Sequence, residues 1–122
     1  MLSRAGTALL LLAALLPNAF AQQVPDPASL NDTEQLGQKL FYQSCGVCHT
    51  KPQITAPQFG PVLSMESAGG NADVMRDVIS NGTPRMPGFK FQFDPTQINA
   101  IVAYLKKVPA PPPPPAGGGA PR

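Results

Sequence analysis

The chain has 122 residues, 43% of which are hydrophobic, and a formal net charge of +2 at pH 7 from nine basic and seven acidic residues. A chain this short predicts a single small domain. A charge balance this close to neutral, without a basic block, argues against a protein that binds DNA or RNA.

Residues 1–21 have the features of a secretory signal peptide. Arg4 supplies a positive charge, an apolar run follows, and Ala19-Phe20-Ala21 matches the small-x-small cleavage pattern. The apolar run is too short to span a bilayer. We therefore expect cleavage after Ala21 and a periplasmic protein without a transmembrane segment. A retained N-terminal anchor is the alternative, because Pro17 separates the run from the cleavage site.

The first predicted helix begins near Asp32 and runs to about Ser44. Glu34 is placed to complete a capping box at its start. Gly37 lies one turn before Phe41, where a stronger helix former would be preferred, and a glycine there is expected if another helix approaches closely. The apolar stripe of this helix consists of Leu36, Leu40 and Phe41.

The segment Ser44-Cys45-Gly46-Val47-Cys48-His49-Thr50 contains both cysteines and the single histidine of the chain. Zinc binding, thiol–disulfide exchange and covalent haem attachment all use a Cys-x-x-Cys pair. A structural zinc site needs four ligands, and this segment offers three. A redox-active pair normally opens a helix after a strand, whereas here a helix precedes the pair. A structural disulfide across four residues would close almost no loop.

Haem attachment fits this segment best. Two thiols can add to the two vinyl groups of haem, and a histidine that directly follows the second thiol then lies beneath the iron. No other histidine competes with His49 as the fifth iron ligand. The motif therefore predicts one haem c, attached through Cys45 and Cys48, with His49 bound to its iron.

Two further helices are predicted. The second begins after Asn71, a good N-cap, and ends before Gly82, a good C′ residue. The third begins after Asp94, has Pro95 in its first turn and ends before Pro109. The apolar stripes consist of Val74, Met75, Val78 and Ile79 in the second helix and of Ile98, Ile101, Val102 and Leu105 in the third.

Long loops rich in Pro and Gly, residues 51–70 and 82–93, join the helices. Loops of this length are uncommon in a small domain unless they wrap something. Phe89, Phe91 and Phe93 alternate as in an extended segment, and we expect all three side chains to face inward.

These elements place one domain at residues 31–108. We expect residues 22–30 to be an unstructured lead and the Pro/Gly-rich residues 109–122 to be a disordered tail, because a proline run is extended and forms no core. A domain of this size buries little apolar surface and usually needs a disulfide, a metal or a cofactor.

Most of the segment formed by residues 33–107 resembles the class I cytochrome c family. Cys45-Gly46-Val47-Cys48-His49 matches the haem signature of that family, and Gly60-Pro61-Val62-Leu63 is similar to its Gly-Pro-x-Leu element. In that element the proline carbonyl accepts a hydrogen bond from the axial histidine, which would fix the ring of His49. An ordinary turn residue is the alternative role of Pro61.

Two other elements carry the same resemblance. Gly37 and Phe41 resemble a first-helix pair that packs against an aromatic residue of the last helix, here Tyr104, and residues 83–89 resemble the loop that supplies the sixth iron ligand. The resemblance implies an all-α fold, a small cytochrome c-like bundle of three main helices. The first and last helices would cross in close contact, and long loops would wrap around one covalently bound haem.

Three methionines compete for the sixth position after signal cleavage. Met75 lies on an apolar helical stripe, and Met65 is too near in sequence to reach the face of the haem opposite His49. Met86 lies in the predicted ligand loop, between two prolines, and a thioether suits low-spin iron. We predict Met86 as the axial ligand, with a gap-filling core residue as its alternative role. Candidate partners of the haem propionates are Arg76, Arg85 and Lys90.

With His49 and Met86 as ligands the iron has no open site for oxygen or peroxide. This implies an electron-transfer protein and not an enzyme: an exported mono-haem cytochrome that carries single electrons between redox partners. The alternatives are a dedicated subunit of an exported dehydrogenase, a five-coordinate haem protein acting on peroxide or gases, and a disulfide-linked domain without haem. We expect a monomer whose partners are proteins, such as an exported dehydrogenase and a terminal oxidase.

Overall fold

The computed structural model describes residues 24–50 and 58–111. Within these ranges the fold is built from α1 (Asp32–Leu40), α2 (Gly46–His49), α3 (Ala72–Asn81) and α4 (Pro95–Leu105), and it has no strand. None of the helices in these ranges is long and apolar enough to cross a membrane. The predicted signal peptide and its cleavage site lie outside the described residues, as does the tail beyond residue 111.

A capping box starts α1, as predicted, with Asn31 as the N-cap. The side-chain oxygen of Asn31 accepts a hydrogen bond from the backbone N–H of Glu34, and the Glu34 carboxylate accepts one from the N–H of Asn31, each at 3.0 Å. The second oxygen of Glu34 lies 3.4 Å from the Lys107 ammonium, just beyond α4. The Glu34 side chain therefore joins the start of the first helix to the end of the last.

The first helix does not end at Ser44. After Leu40 the chain continues through a π-helical turn, Phe41–Cys45, directly into α2, so that helical backbone reaches His49. The backbone N–H of Gly46 donates to the carbonyl of Phe41, five residues earlier, which is the widened spacing of a π turn. The extra residue turns the cysteine segment about the helix axis relative to α1.

The close approach predicted at Gly37 is present, and α4 is the helix that approaches. A Cβ atom at position 37 would overlap the backbone carbonyl of Ala100, and Ala100 itself is fully buried. One turn further along α1, the ring of Phe41 packs against Tyr104, with 5.6 Å between ring centroids. Backbone-to-backbone contact thus fixes the crossing of α1 and α4, and the aromatic pair extends it.

The caps of α3 and α4 are those predicted. Asn71 accepts hydrogen bonds from the N–H groups of the first turn of α3, and Asp94 forms a capping box with Gln97 at the start of α4. The buried core consists mainly of side chains from α1, the π turn, α3 and α4, and it includes Leu40, Phe41, Met75, Ile79, Ile98, Ile101, Val102, Tyr104 and Leu105.

Three apolar side chains assigned inward by their spacing are exposed: Leu36, Val74 and Phe91. The prediction of an extended segment over residues 89–93 was wrong, because these residues form a tight turn. The N–H of Phe93 bonds to the carbonyl of Phe89, which stacks these two rings at 5.7 Å and directs Phe91, 95% exposed, away from them.

The segment before α1 also differs from the prediction of an unstructured lead over residues 22–30. Within its described part a 3₁₀ turn, Pro27–Ser29, is capped by Asp26. Leu30 follows this turn and is buried in the core. Burying the large apolar side chain of Leu30 removes apolar surface from water and so stabilises the packing of this short segment on the core.

Replacing Gly37 by alanine tests the helix crossing. Because the added methyl would meet the backbone of α4, the helices must separate, and we expect the free energy of unfolding to fall by about 1–3 kcal/mol. The measurement is guanidinium unfolding of the haem-loaded protein. Gly46→Ala is the control, since a Cβ there would meet side-chain atoms at 3.6 Å; its expected change is below about 1 kcal/mol. Equal effects would contradict a special role for Gly37.

Candidate haem site

A cavity of about 360 Å³ lies against α2 and is bordered on another side by the loop after α3. Its lining is mostly apolar and includes Leu63, Met75, Ile79 and Leu105 from the core. Cys48, His49 and Met86 also line it. Of the predicted haem-binding residues, these three and Pro61 therefore border one space, whereas Cys45 is buried one turn away in the π turn.

Among the described residues, one hydrogen bond holds the imidazole of His49. Its Nδ1 lies 2.8 Å from the carbonyl oxygen of Pro61. A carbonyl can only accept, so Nδ1 carries the proton and Nε2 of the neutral ring keeps its lone pair. Nε2 is the atom that a metal ion would bind, and a fixed partner on Nδ1 is what orients a ligating histidine.

Gly60 is a site residue that the sequence did not single out. A Cβ atom at position 60 would lie 2.8 Å from both Cε1 and Nδ1 of His49. The N–H of Gly60 also donates to the carbonyl of Cys48 at 2.8 Å. The backbone of the Gly60-Pro61 segment therefore lies directly against the imidazole. The glycine that directly precedes Pro61 is the signal in the sequence that could have identified this contact.

The chemistry of the two cysteines argues against the competing uses of the pair. Burial, and to a smaller extent the neighbouring Cys48, raises the pKa of the Cys45 thiol to about 11. A reactive dithiol instead needs a lowered pKa, because the thiolate is the nucleophile. In residues 24–50 and 58–111, no group of three or more His, Cys, Asp or Glu side chains that could hold a metal ion occurs.

The loop that carries Met86 is a tight turn. Thr83 and Met86 exchange two backbone hydrogen bonds, at 2.8 and 3.1 Å. The loop is anchored to the end of α3, since the N–H of Phe89 donates to the carbonyl of Ile79 at 2.9 Å. Gly82 has a φ of +77°, and a Cβ there would overlap the Met86 carbonyl. This geometry requires glycine and holds Met86 at the cavity.

The other two methionines occupy different environments. Met65 is 50% exposed and is not among the lining residues. Met75 borders the cavity but is buried in the core on α3. Geometry alone therefore leaves two thioethers at the cavity, one in a packed helix and one in the anchored loop.

The three basic candidates for propionate partners do not lie together. Arg85 borders the cavity beside Met86. Arg76 and Lys90 line a separate, smaller cavity of about 180 Å³ between α3 and the start of α4. Arg76 is already bonded there to Asp73 and Asn99.

These residues fit a covalently attached haem. The cavity is apolar, the thiol of Cys48 borders it and that of Cys45 lies one turn away, and the imidazole of His49, at the end of the same helical run, faces it with a free Nε2. The carbonyl that fixes the imidazole comes from a separate segment, as expected of a built site and not of a chance surface cluster.

Comparison with protein families gives a match over residues 32–105 to the family described as cytochrome C oxidase, cbb3-type, subunit III. This range contains α1 to α4 and every proposed haem-binding residue. No curated protein sequence matches the chain.

Solved structures similar to the chain include the dihydro-heme d1 dehydrogenase NirN in complex with DHE, at 35% identity and a TM-score of 0.52. The alignment covers 61% of this chain but only 16% of that one. The KustC0563 c-type cytochrome is 26% identical, and its alignment covers 57% of this chain and 93% of that one, with a TM-score of 0.44. Cytochrome c6C from Synechococcus sp. PCC 7002 is 16% identical, with 58% and 90% covered and a TM-score of 0.47.

The family match spans the whole helical domain, and it agrees with the haem signature and with the crossing of α1 and α4. The chain belongs to the family described as cytochrome C oxidase, cbb3-type, subunit III, and it is a class I c-type cytochrome with covalently bound haem c.

Proposed function

We propose that this protein is an exported mono-haem cytochrome that carries single electrons between redox partners by outer-sphere transfer, with His49 and Met86 as the axial iron ligands. Haem-based electron transfer is the function that the family supports. The observation that carries the finer proposal is that His49 and Met86 come from separate segments and border the same apolar cavity.

The chemistry that bound haem c supplies is a one-electron ferric/ferrous couple. The chain contributes the conditions for it. Cys45 and Cys48 attach the group, so that it stays in place during brief encounters with partners. His49 presents Nε2, and the Met86 thioether would favour the ferrous state more than a second imidazole would. The apolar lining would exclude water from the bound group.

Export is supported by the signal-peptide features of residues 1–21. We accordingly place the mature protein in the periplasm, as a monomer. Its partners are proposed to be redox proteins, among them a dehydrogenase that donates electrons and a terminal oxidase that receives them.

A second candidate is the cytochrome subunit of one exported dehydrogenase. The likeness to a segment making up 16% of the dehydrogenase NirN favours it, because that protein contains a similar module within a dehydrogenase chain. A fixed subunit would co-purify with its enzyme at constant ratio from the native host, whereas a free carrier would separate from it.

The Met86 ligand is tested by the visible spectrum of the protein made in a host that attaches haem c. We expect sharp low-spin ferrous bands and a weak long-wavelength sulfur-to-ferric-iron band, which Met86→Ala abolishes. Met75→Leu is the control, because that thioether also borders the cavity, and it should leave the band unchanged. A high-spin wild-type spectrum would instead support the alternative of a five-coordinate haem protein that acts on peroxide or gases. Loss of the band in the Met75 variant alone would make Met75 the ligand.

The backbone contact on His49 is tested by Gly60→Ala. A methyl group 2.8 Å from the imidazole must displace the ring or the loop. We expect the ring-proton resonances of His49 to shift in the ferric protein and the free energy of unfolding to fall by about 1–3 kcal/mol. Pro61→Ala keeps the accepting carbonyl and should shift these resonances much less. A shift in Pro61→Ala without one in Gly60→Ala would show that the proline ring, and not the backbone contact at Gly60, positions His49.

Weak electrostatic steering is a further expectation. Removing Arg4 with the signal peptide leaves eight of the nine basic residues against seven acidic ones. Long-range attraction to a charged partner should therefore be small. The rates at which the protein reduces an anionic and a cationic metal complex should each change by less than about threefold between low and physiological salt. A steep fall for one complex alone would reveal a local charged patch.

A further inference from the structure

Phe59 and Arg85 meet at the mouth of the haem cavity. The guanidinium carbon of Arg85 lies 5.5 Å from the centroid of the Phe59 ring, within the range of a cation–π contact. Both residues line the cavity, Phe59 is 62% exposed, and Arg85 is exposed as well. The contact therefore lies at the solvent edge of the site and not in its interior.

The two residues belong to opposite sides of the site. Phe59 directly precedes Gly60 and Pro61, whose backbone lies against the imidazole of His49. Arg85 directly precedes Met86. The contact thus joins the segment that orients one proposed iron ligand to the loop that supplies the other.

The Met86 loop is otherwise attached to α3. The N–H groups of Phe89 and Lys90 donate to the carbonyls of Ile79 and Ser80 at 2.9 and 3.2 Å. A Cβ at Gly88 would overlap the backbone at the end of α3, which shows how closely the loop is packed there. These contacts hold the C-terminal end of the loop against α3. Arg85 lies at the tip of the loop and contacts Phe59, which precedes the segment against His49.

Arg85 is available for this role. The ion pairs found in residues 24–50 and 58–111 join Arg76 to Asp73 and Lys107 to Glu34. The ring of Phe59 is therefore the partner that the described part of the chain gives to the Arg85 guanidinium. A guanidinium is planar and more weakly hydrated than an ammonium group. Arginine therefore stacks on an aromatic face more favourably than a lysine in the same place would.

We propose that Phe59 and Arg85 form a latch that holds the Met86 loop closed over the cavity and so keeps the sixth iron position filled. The inference rests on the proposed His49/Met86 ligation. Phe59 and Arg85 are positioning residues: they act through Met86 and do not bind iron. Opening the latch exposes the sixth position to small ligands from solution.

The test is imidazole binding to the ferric haem-loaded protein, followed through loss of the Met86-dependent long-wavelength band. Imidazole replaces the thioether only when the loop opens, so its apparent affinity reports the opening equilibrium. A cation–π contact at an exposed site predicts that Phe59→Leu and Arg85→Met each raise this affinity about two- to fivefold. The double variant should show no further increase, because either change alone removes the contact.

Lys90 and Phe91 provide a matched control. They form a second cation–π contact, at 5.3 Å, and neither residue lines the haem cavity. Phe91→Leu should leave the imidazole affinity unchanged, while Arg85→Lys, which retains the charge, should lie between the wild type and Arg85→Met.

Several outcomes would overturn the latch. Wild-type affinity in both single variants would show that the contact does not hold the loop. An effect of Arg85→Met without one of Phe59→Leu would show that Arg85 acts on another group, such as a haem propionate. Additive effects would show independent roles. A wild-type protein without the long-wavelength band would remove the proposed Met86 ligation itself, which separates failure of that proposal from failure of the latch.

Discussion

The contact between the backbones of α1 and α4 at Gly37 is the constraint on which the haem site depends. It sets the position and direction of the helical run that begins at Asp32 and ends at His49, because no break separates α1 from the cysteine segment. The wider π turn then decides which way that segment faces. Deleting one residue from this turn would rotate the cysteines and His49 about the helix axis and away from the cavity, even if the rest of the core packed as before.

The cavity has two kinds of wall. One is helical and fixed by the core, since α2, α3 and α4 all contribute to it. The other includes two short segments, Gly60-Pro61 and the loop containing Met86, which glycines and backbone hydrogen bonds hold in place. Such a division suits haem-based electron transfer, because a rigid attachment limits the rearrangement that accompanies a change of charge.

Much of this could be predicted from the sequence, because local signals were strong. Caps at Asn71 and Asp94, the glycine at position 37 and the spacing of Cys45, Cys48 and His49 each depend on a few neighbouring residues. The predictions failed where tertiary context decided the outcome. Nothing local distinguishes a helix that ends near Ser44 from one that continues through a π turn, or a turn from an extended segment at Phe91. The burial of Leu30 and the contact of Gly60 with His49 depend on residues distant in sequence.

The ion pair between Glu34 and Lys107 has a consequence for how such a domain can be used. It brings the first turn of the first helix beside the residues that follow the last helix, so the two ends of the folded unit are neighbours. A unit whose ends are neighbours can be placed inside a longer polypeptide, or joined to one at either end, without stretching its core. The same architecture can therefore serve as a separate shuttle or as one link in a covalent chain of redox modules.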